Sequence, residues 1–180
     1  METDEVAEPD GDRVSDEVDA IVQAWLAERP DLDVEPLHVL SRVSRLAAVL
    51  DDRRAASFVE HGLQGHEFDV LAALRRDGSP FELTAGELAN LTHVTSGTMT
   101  SRVDRLTARG LVERLQDPAD GRLVRVRLTT AGRERVDAAF ASLLEREREL
   151  LAALSPADRT DLAVALRSLL LAAEPAPPAG

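Results

Sequence analysis

The chain has 180 residues, enough for one domain with helical extensions, and an apolar fraction of 44% suffices for a core. No run approaches the roughly 18 apolar residues of a membrane span, so no membrane-spanning helix is predicted. The absence of cysteine excludes oxidant sensing by a thiolate and is consistent with a reducing cytoplasm. The net charge of −12 argues against a nucleic-acid partner unless positive charge is concentrated locally.

The N-terminal third is predicted to hold a disordered segment and two helices. Residues 1–14 are acidic and contain Pro and Gly, so we expect disorder; they also lack the basic and apolar regions of a signal peptide. From Ser15 to Arg29 the apolar residues follow helical spacing, which predicts an amphipathic helix ended by Pro30. A longer helix is predicted from about Pro36 to His61.

A third helix is predicted from about Gln64 to Arg76. On it, Asp69 and Arg76 lie seven residues apart and therefore on one stripe, with only Ala72 and Ala73 between them. Small residues flanked by an acid and a base leave room for a ligand. The alternative interpretation is an ion pair along a solvated helix face.

The segment after this helix predicts two short helices joined by a tight turn. The residues from Thr84 to Glu87 have the spacing of a capping box, which begins the first short helix. The second begins at Thr95 or Ser96 as N-cap and ends at Gly110, which can adopt the left-handed conformation of a helix C-terminus.

The second short helix is predicted to have an apolar stripe and a polar stripe. Met99, Val103 and Leu106 fall on one side and are expected in the core. The opposite side carries small, hydroxylated and cationic residues, which suit close approach to a DNA major groove. These residues are Gly97, Thr98, Ser101 and Arg105.

A β-hairpin is predicted next. Residues 123–128 alternate between apolar and cationic side chains, which is typical of a half-buried strand, and residues 111–115 form its partner. Near the tip, Asp120 can orient the guanidinium of Arg122, and an Arg on a narrow ribbon can enter a minor groove. Residues 81–83 are expected to add a short third strand.

Positive charge is concentrated in this part of the chain. Residues 91–135 contain nine Arg and five acidic residues, a local net charge of +4, so the remainder carries −16. A cationic helix and hairpin on an acidic body is the local footprint expected of a nucleic-acid interface.

Two further helices are predicted at the C-terminal end. The first begins at Thr129 or Thr130 and runs to about Leu154; the second begins with Ser155 as N-cap and runs to about Ala173. They are too apolar to stand alone, and the same helices of a second chain would bury them. A two-fold homodimer would also present two DNA-reading heads.

Residues 83–128 and their surroundings resemble the MarR family of bacterial transcription regulators, and the resemblance extends less specifically over residues 15–172. It implies a mainly α fold with a small β wing, a winged helix-turn-helix, and dimerisation through the N- and C-terminal helices. The segments that carry it are Glu87–Ala89, Val94–Thr100, Arg102–Leu106, Arg109–Arg114, Asp117–Arg122 and Leu128–Gly132.

Helix pattern, hairpin and resemblance together predict contacts with double-stranded DNA at an inverted-repeat operator. The predicted DNA-binding residues are Thr95, Ser96, Gly97, Thr98, Thr100, Ser101, Arg105, Asp120 and Arg122.

The added N-terminal helix resembles the urate-responsive subgroup of the family. That resemblance implies a ligand site formed by Trp25, Asp69, Arg76 and Arg102, and Arg102 also lies at the edge of the buried stripe of its helix. Two guanidiniums, a carboxylate and a flat ring suit a small anionic effector such as urate, aconitate or citrate. The alternative is that Trp25 packs in a core and that the charged residues form ion pairs.

The predicted organisation is one domain over residues 15–173, made of N-terminal helices (15–61), a winged helix-turn-helix (64–128) and C-terminal dimerisation helices (129–173), with a flexible tail at 174–180. No nucleophile motif, phosphate loop, cofactor motif or metal-ligand spacing is present, so we expect no enzyme, no metal and no cofactor. We therefore predict a ligand-responsive, homodimeric repressor. The alternative is a winged-helix module for protein contacts that binds neither DNA nor ligand.

Overall fold

The computed structural model describes residues 15–117 and 123–173, and they form seven helices and three strands. In chain order these are α1 (Glu17–Glu28), α2 (Glu35–Glu60), α3 (Gly65–Asp77), β1 (Glu82–Thr84), α4 (Ala85–Leu91), α5 (Ser96–Ala108), β2 (Val112–Gln116), β3 (Val124–Leu128), α6 (Thr130–Leu151) and α7 (Pro156–Ala173).

The chain divides into two compact units, Met1–Asp52 and Arg53–Gly180. In the N-terminal unit, Asp16 caps α1 by accepting hydrogen bonds from the backbone N–H groups of Val18 and Asp19. Arg42 of α2 bonds to the carboxylates of both Asp16 and Asp19, at 2.8 and 2.7 Å. A shared guanidinium therefore ties the start of α1 to α2.

The core of the C-terminal unit is built around α3, which packs against α4, α5, α6 and the sheet. Burying a leucine completely contributes about 1.5–3 kcal/mol, so this core dominates the stability of the unit. Its largest fully buried side chains are Leu63, Leu71, Leu74, Leu88, Met99, Leu106, Val70, Val103, Val112 and Val126.

The three strands form an antiparallel sheet in the order β1-β3-β2. Val126, at the centre of β3, lies opposite Leu83 of β1 and Arg114 of β2 and is completely buried. The predicted half-buried strand and the predicted third strand at residues 81–83, observed at Glu82–Thr84, are both confirmed.

The predicted fold class, mainly α with a small β wing, is confirmed. Helix starts agree closely with the capping signals: Thr84 forms a capping box with Glu87, while Thr95 and Thr129 cap α5 and α6. One end differs, because α6 stops at Leu151 where the apolar pattern predicted about Leu154. The residues between them form a tight turn, in which the N–H of Leu154 donates to the carbonyl of Leu151.

The helices outside the core expose many large apolar side chains. α7 has no buried residue at all. Within the described part of the chain, none of the helices is long and apolar enough to cross a membrane. The most exposed large apolar side chains of α7 are those of Val164, Leu170 and Leu171, at 53%, 67% and 65%.

Candidate nucleic-acid interface

Helix α5 has one buried side and one polar, exposed side. Met99, Val103 and Leu106 are at most 1% exposed, so the predicted core stripe is confirmed. On the polar side, all the residues of this helix and its N-cap that were predicted to bind DNA are exposed. The exposed candidates are Thr95, Ser96, Gly97, Thr98, Thr100, Ser101 and Arg105.

The start of α5 is organised by hydroxyl groups. Thr95 is the N-cap, and its side-chain oxygen accepts from the backbone N–H of Thr98 at 3.3 Å, while the two threonine hydroxyls lie 3.0 Å apart. The hydroxyl of Thr100 donates to the carbonyl of Ser96 at 2.9 Å. Capping fixes the end of the helix and leaves these small side chains at its surface.

The C-terminal end of α5 is anchored to the start of α3. Both carboxylate oxygens of Glu67, which is 5% exposed, accept from Nη1 of Arg109 at 2.7 Å, and Nη2 of Arg109 donates to the carbonyl of Gly62 at 2.5 Å. Burial would raise the pKa of Glu67, but the Arg109 guanidinium and the N–H of Gln64 outweigh it and lower that pKa. This pair holds the orientation of α5 relative to α3.

Ion pairs neutralise the arginines at the base of the hairpin. Arg127 bonds to Glu82 at 2.8 Å, and Arg125 bonds to Asp117 at 2.5 Å. Arg114 of β2 pairs with Asp104 of α5 at 2.7 Å. The net charge of +4 counted for residues 91–135 overstates the positive charge there. Glu67 and Glu82 lie outside that range, and they neutralise Arg109 and Arg127 within it.

In contrast, Arg102 and Arg105 of α5 have no carboxylate within 4 Å in the described part of the chain. Arg105 makes one long contact with the hydroxyl of Ser101, at 3.4 Å. Both guanidiniums can therefore bind an anion without first breaking an ion pair. The positive charge of this side of α5 comes from these two residues.

A surface groove of about 460 Å³ runs along α5 from Gly97 to Arg105. His66 of α3 is part of its lining, although the sequence analysis assigned no site to this residue. No local spacing connects residue 66 to residues 97–105, so only the packing of α3 on α5 could have identified it. The groove is lined by His66, Gly97, Thr98, Ser101, Arg102 and Arg105.

Three of the four predicted ligand residues share one electrostatic environment. The charges of Arg102 and Arg76 both act on the Asp69 carboxyl. Desolvation by the surrounding protein outweighs them and raises the pKa of Asp69 above its ordinary value, although the residue as a whole is exposed. No ion pair joins Asp69 to either Arg among the described residues. The ion-pair alternative for Asp69 and Arg76 is therefore not observed.

A cavity of about 310 Å³ lies between α3 and α6, and Arg76 is one of its lining residues. Trp25, the fourth predicted ligand residue, lies on α1 in the N-terminal unit and is 49% exposed. The cavity is lined by Phe68, Ala72, Arg75, Arg76, Val136, Asp137 and Phe140.

The predicted wing-tip residues Asp120 and Arg122 lie outside the described residues. Over residues 15–117 and 123–173, no group of three or more His, Asp or Glu is placed to hold a metal ion.

Comparison with known proteins places this architecture in a family. Residues 61–123 match the model of the MarR family. The chain is 37% identical over 146 residues to the HTH-type transcriptional regulator PecS of Dickeya dadantii, covering 81% of this chain and 88% of that protein. It is 30% identical over 143 residues to the HTH-type transcriptional repressor NicR of Pseudomonas putida, covering 77% of this chain and 89% of that protein.

The fold is also similar to solved structures. One is a mutant MarR of Escherichia coli complexed with operator DNA, with a TM-score of 0.63 and 26% sequence identity, covering 77% of this chain and 99% of that chain. Sequence, fold and the exposed recognition helix agree, and the chain belongs to the MarR family of winged helix-turn-helix transcription regulators.

Proposed function

We propose that this protein is a homodimeric repressor that binds an inverted-repeat operator and is released by a small anionic metabolite. The proposal rests on the two contrasting sides of α5. One side of it is locked into the core by Met99, Val103 and Leu106, while the other exposes hydroxyls and guanidiniums. Hydroxyls suit phosphate oxygens, and Arg suits the O6 and N7 acceptors of guanine.

Similarity supports the same interpretation of α5. A structural relative is described as bound to operator DNA, and one sequence relative is described as a repressor. Arg105 would read bases, while Thr95, Thr98 and Ser101 would contact the backbone. The wing-tip pair Asp120 and Arg122 is proposed, from sequence alone, for the minor groove.

The homodimer is supported by exposed apolar surface on α7. A wide apolar surface on a helix is normally buried, yet the exposed fraction is more than a third for each of Leu162, Val164, Leu169, Leu170 and Leu171. A second copy of the chain would cover them. It would also place two α5 helices at half-sites about one DNA turn, roughly 34 Å, or a multiple apart.

Leu170→Glu should convert the dimer into a monomer, because it places a charge in the apolar interface at a cost of several kcal/mol. Sedimentation of the wild-type protein is expected to give twice the 19.5 kDa of one chain. Thr160→Glu, at an exposed polar position of the same helix, is the control and should remain dimeric. A wild-type monomer at micromolar concentration would contradict the proposed assembly.

The effector is proposed to bind through Trp25, Asp69, Arg76 and Arg102. Support comes from the shared electrostatic environment of the last three and from the mainly apolar cavity at Arg76. A planar or multiply charged anion would accept from the guanidiniums and stack on an aromatic ring. Because Arg102 belongs to the recognition helix, an effector that draws it away from the DNA face lowers operator affinity.

Urate, aconitate and citrate, added separately, test the effector site. Trp25 is the only tryptophan, so its fluorescence should change with the effector, and the same compound should release DNA. Arg76→Ala should abolish both responses, because it removes one of two guanidiniums. Arg148→Ala, at an exposed position of α6, should preserve them. An unchanged response in Arg76→Ala would show that the anion binds elsewhere.

A further inference from the structure

The groove beside α5 combines residues of two helices, α5 and α3, and α3 lies outside the pair of short helices joined by the tight turn. Five lining residues come from α5, whereas His66 is the second residue of α3. Every polar side chain in the lining is neutral or cationic. The imidazole and two guanidiniums offer N–H donors, and Thr98 and Ser101 add hydroxyls, which together match the acceptor oxygens of a phosphate group.

The charges that face His66 favour an anion. On its own helix these are Glu67 and Asp69, and on α5 they are Arg102 and Arg105. Glu67 is already bound at both oxygens by Arg109. In the described part of the chain, the imidazole of His66 has no carboxylate within 4 Å, and neither do the two groove arginines. Asp69 is the remaining negative group, so the two arginines give the groove a net positive charge.

We propose that His66 and Arg102 bind a backbone phosphate of the operator, so that α3 as well as the recognition helix contacts DNA, while Arg105 contacts a base as proposed above. The proposal rests on the DNA binding proposed above. DNA is favoured over a free anion because the groove is open and is continuous with the exposed polar side of α5. A long polyanion can reach such a surface and be held by several neighbouring contacts.

Arg102 would then be shared between two anions. In the DNA complex it faces the groove phosphate, and in the effector complex it turns toward Asp69 and Arg76. One guanidinium cannot serve both, which couples effector binding negatively to operator binding.

His66→Gln tests the phosphate site through the salt dependence of DNA binding. Each phosphate neutralised by a cation contributes about 0.9 to the slope of log affinity against log salt. His66→Arg carries a permanent cation at this position, and His66→Gln carries no charge. At one fixed pH, the slope for His66→Arg should therefore be steeper than that for His66→Gln by up to about 0.9. The affinity advantage of His66→Arg should shrink by up to about eightfold over a tenfold rise in salt.

A nearby histidine makes the test specific. His61→Gln is the matched control: it changes a nearby histidine outside the groove and keeps the backbone carbonyl that accepts from Arg135. Its slope should equal that of the wild type. Equal thermal unfolding of the variants would establish that they are folded.

Equal slopes for His66→Arg and His66→Gln would overturn the phosphate site while leaving the regulator function intact. The same holds if His66→Gln binds DNA normally but needs more effector for release, because the groove would then hold the effector. A wild-type protein that binds no duplex would overturn both proposals together.

Discussion

Arg105→Ala should weaken operator binding by about 5- to 150-fold, equivalent to about 1–3 kcal/mol for the loss of a bidentate contact with a base. Arg105 is exposed on the recognition side of α5 and has no carboxylate partner among the described residues, so its guanidinium needs no ion pair to be broken before it contacts DNA. Titration of a labelled operator at fixed salt would measure the loss.

The loss should also depend on sequence. If Arg105 reads a base, the substitution should reduce discrimination at one position of each half-site and affect unrelated DNA less. Arg148→Ala is the control, because it removes an equal charge from an exposed position of α6. Undiminished affinity in Arg105→Ala would contradict the role assigned to this side of α5.

Gly132→Ala should lower the free energy of unfolding by about 3 kcal/mol, at the upper end of what overpacking costs. Gly132 lies in the first turn of α6, where an added Cβ would lie 2.0 Å from the carbonyl oxygen of Leu111 and 3.0 Å from Cδ1 of Leu128. The carbonyl cannot move freely, since it accepts from the N–H and the hydroxyl of Thr129. The start of α6 would have to separate from the sheet.

Urea unfolding of wild type and variant would measure this change. Gly86→Ala is the matched control, because Gly86 also lies in the first turn of a helix but the nearest atom to its added Cβ is 3.9 Å away. That variant should keep its stability or gain up to about 1 kcal/mol from helix propensity. Equal stabilities for the two alanine variants would show that α6 does not pack on Leu111 as described.

Local signals in the sequence predicted the helices and the sheet well. A capping box such as Thr84 with Glu87 involves residues three apart, so the sequence alone contains both partners. The buried stripe of Met99, Val103 and Leu106 follows in the same way from helical periodicity. These short-range patterns explain why the fold class and most helix ends could be predicted.

Contacts between distant residues could not be predicted in this way. The pairing of Glu67 with Arg109 and of Glu82 with Arg127 joins residues 42 and 45 positions apart, and no spacing rule connects them. The place of His66 beside α5 depends on the same packing. The exposed candidates on α5 were predicted because one helix carries them all, whereas a groove shared by two helices needs the tertiary structure.

The binding of wild-type protein to the DNA upstream of its own gene tests the central claim most directly. A footprinting titration is expected to show two protected half-sites about one helical turn, or a multiple, apart, bound by one dimer with an affinity that falls steeply with salt. Absence of binding to this DNA and to unrelated duplexes at moderate salt would contradict the account and favour a module for protein contacts.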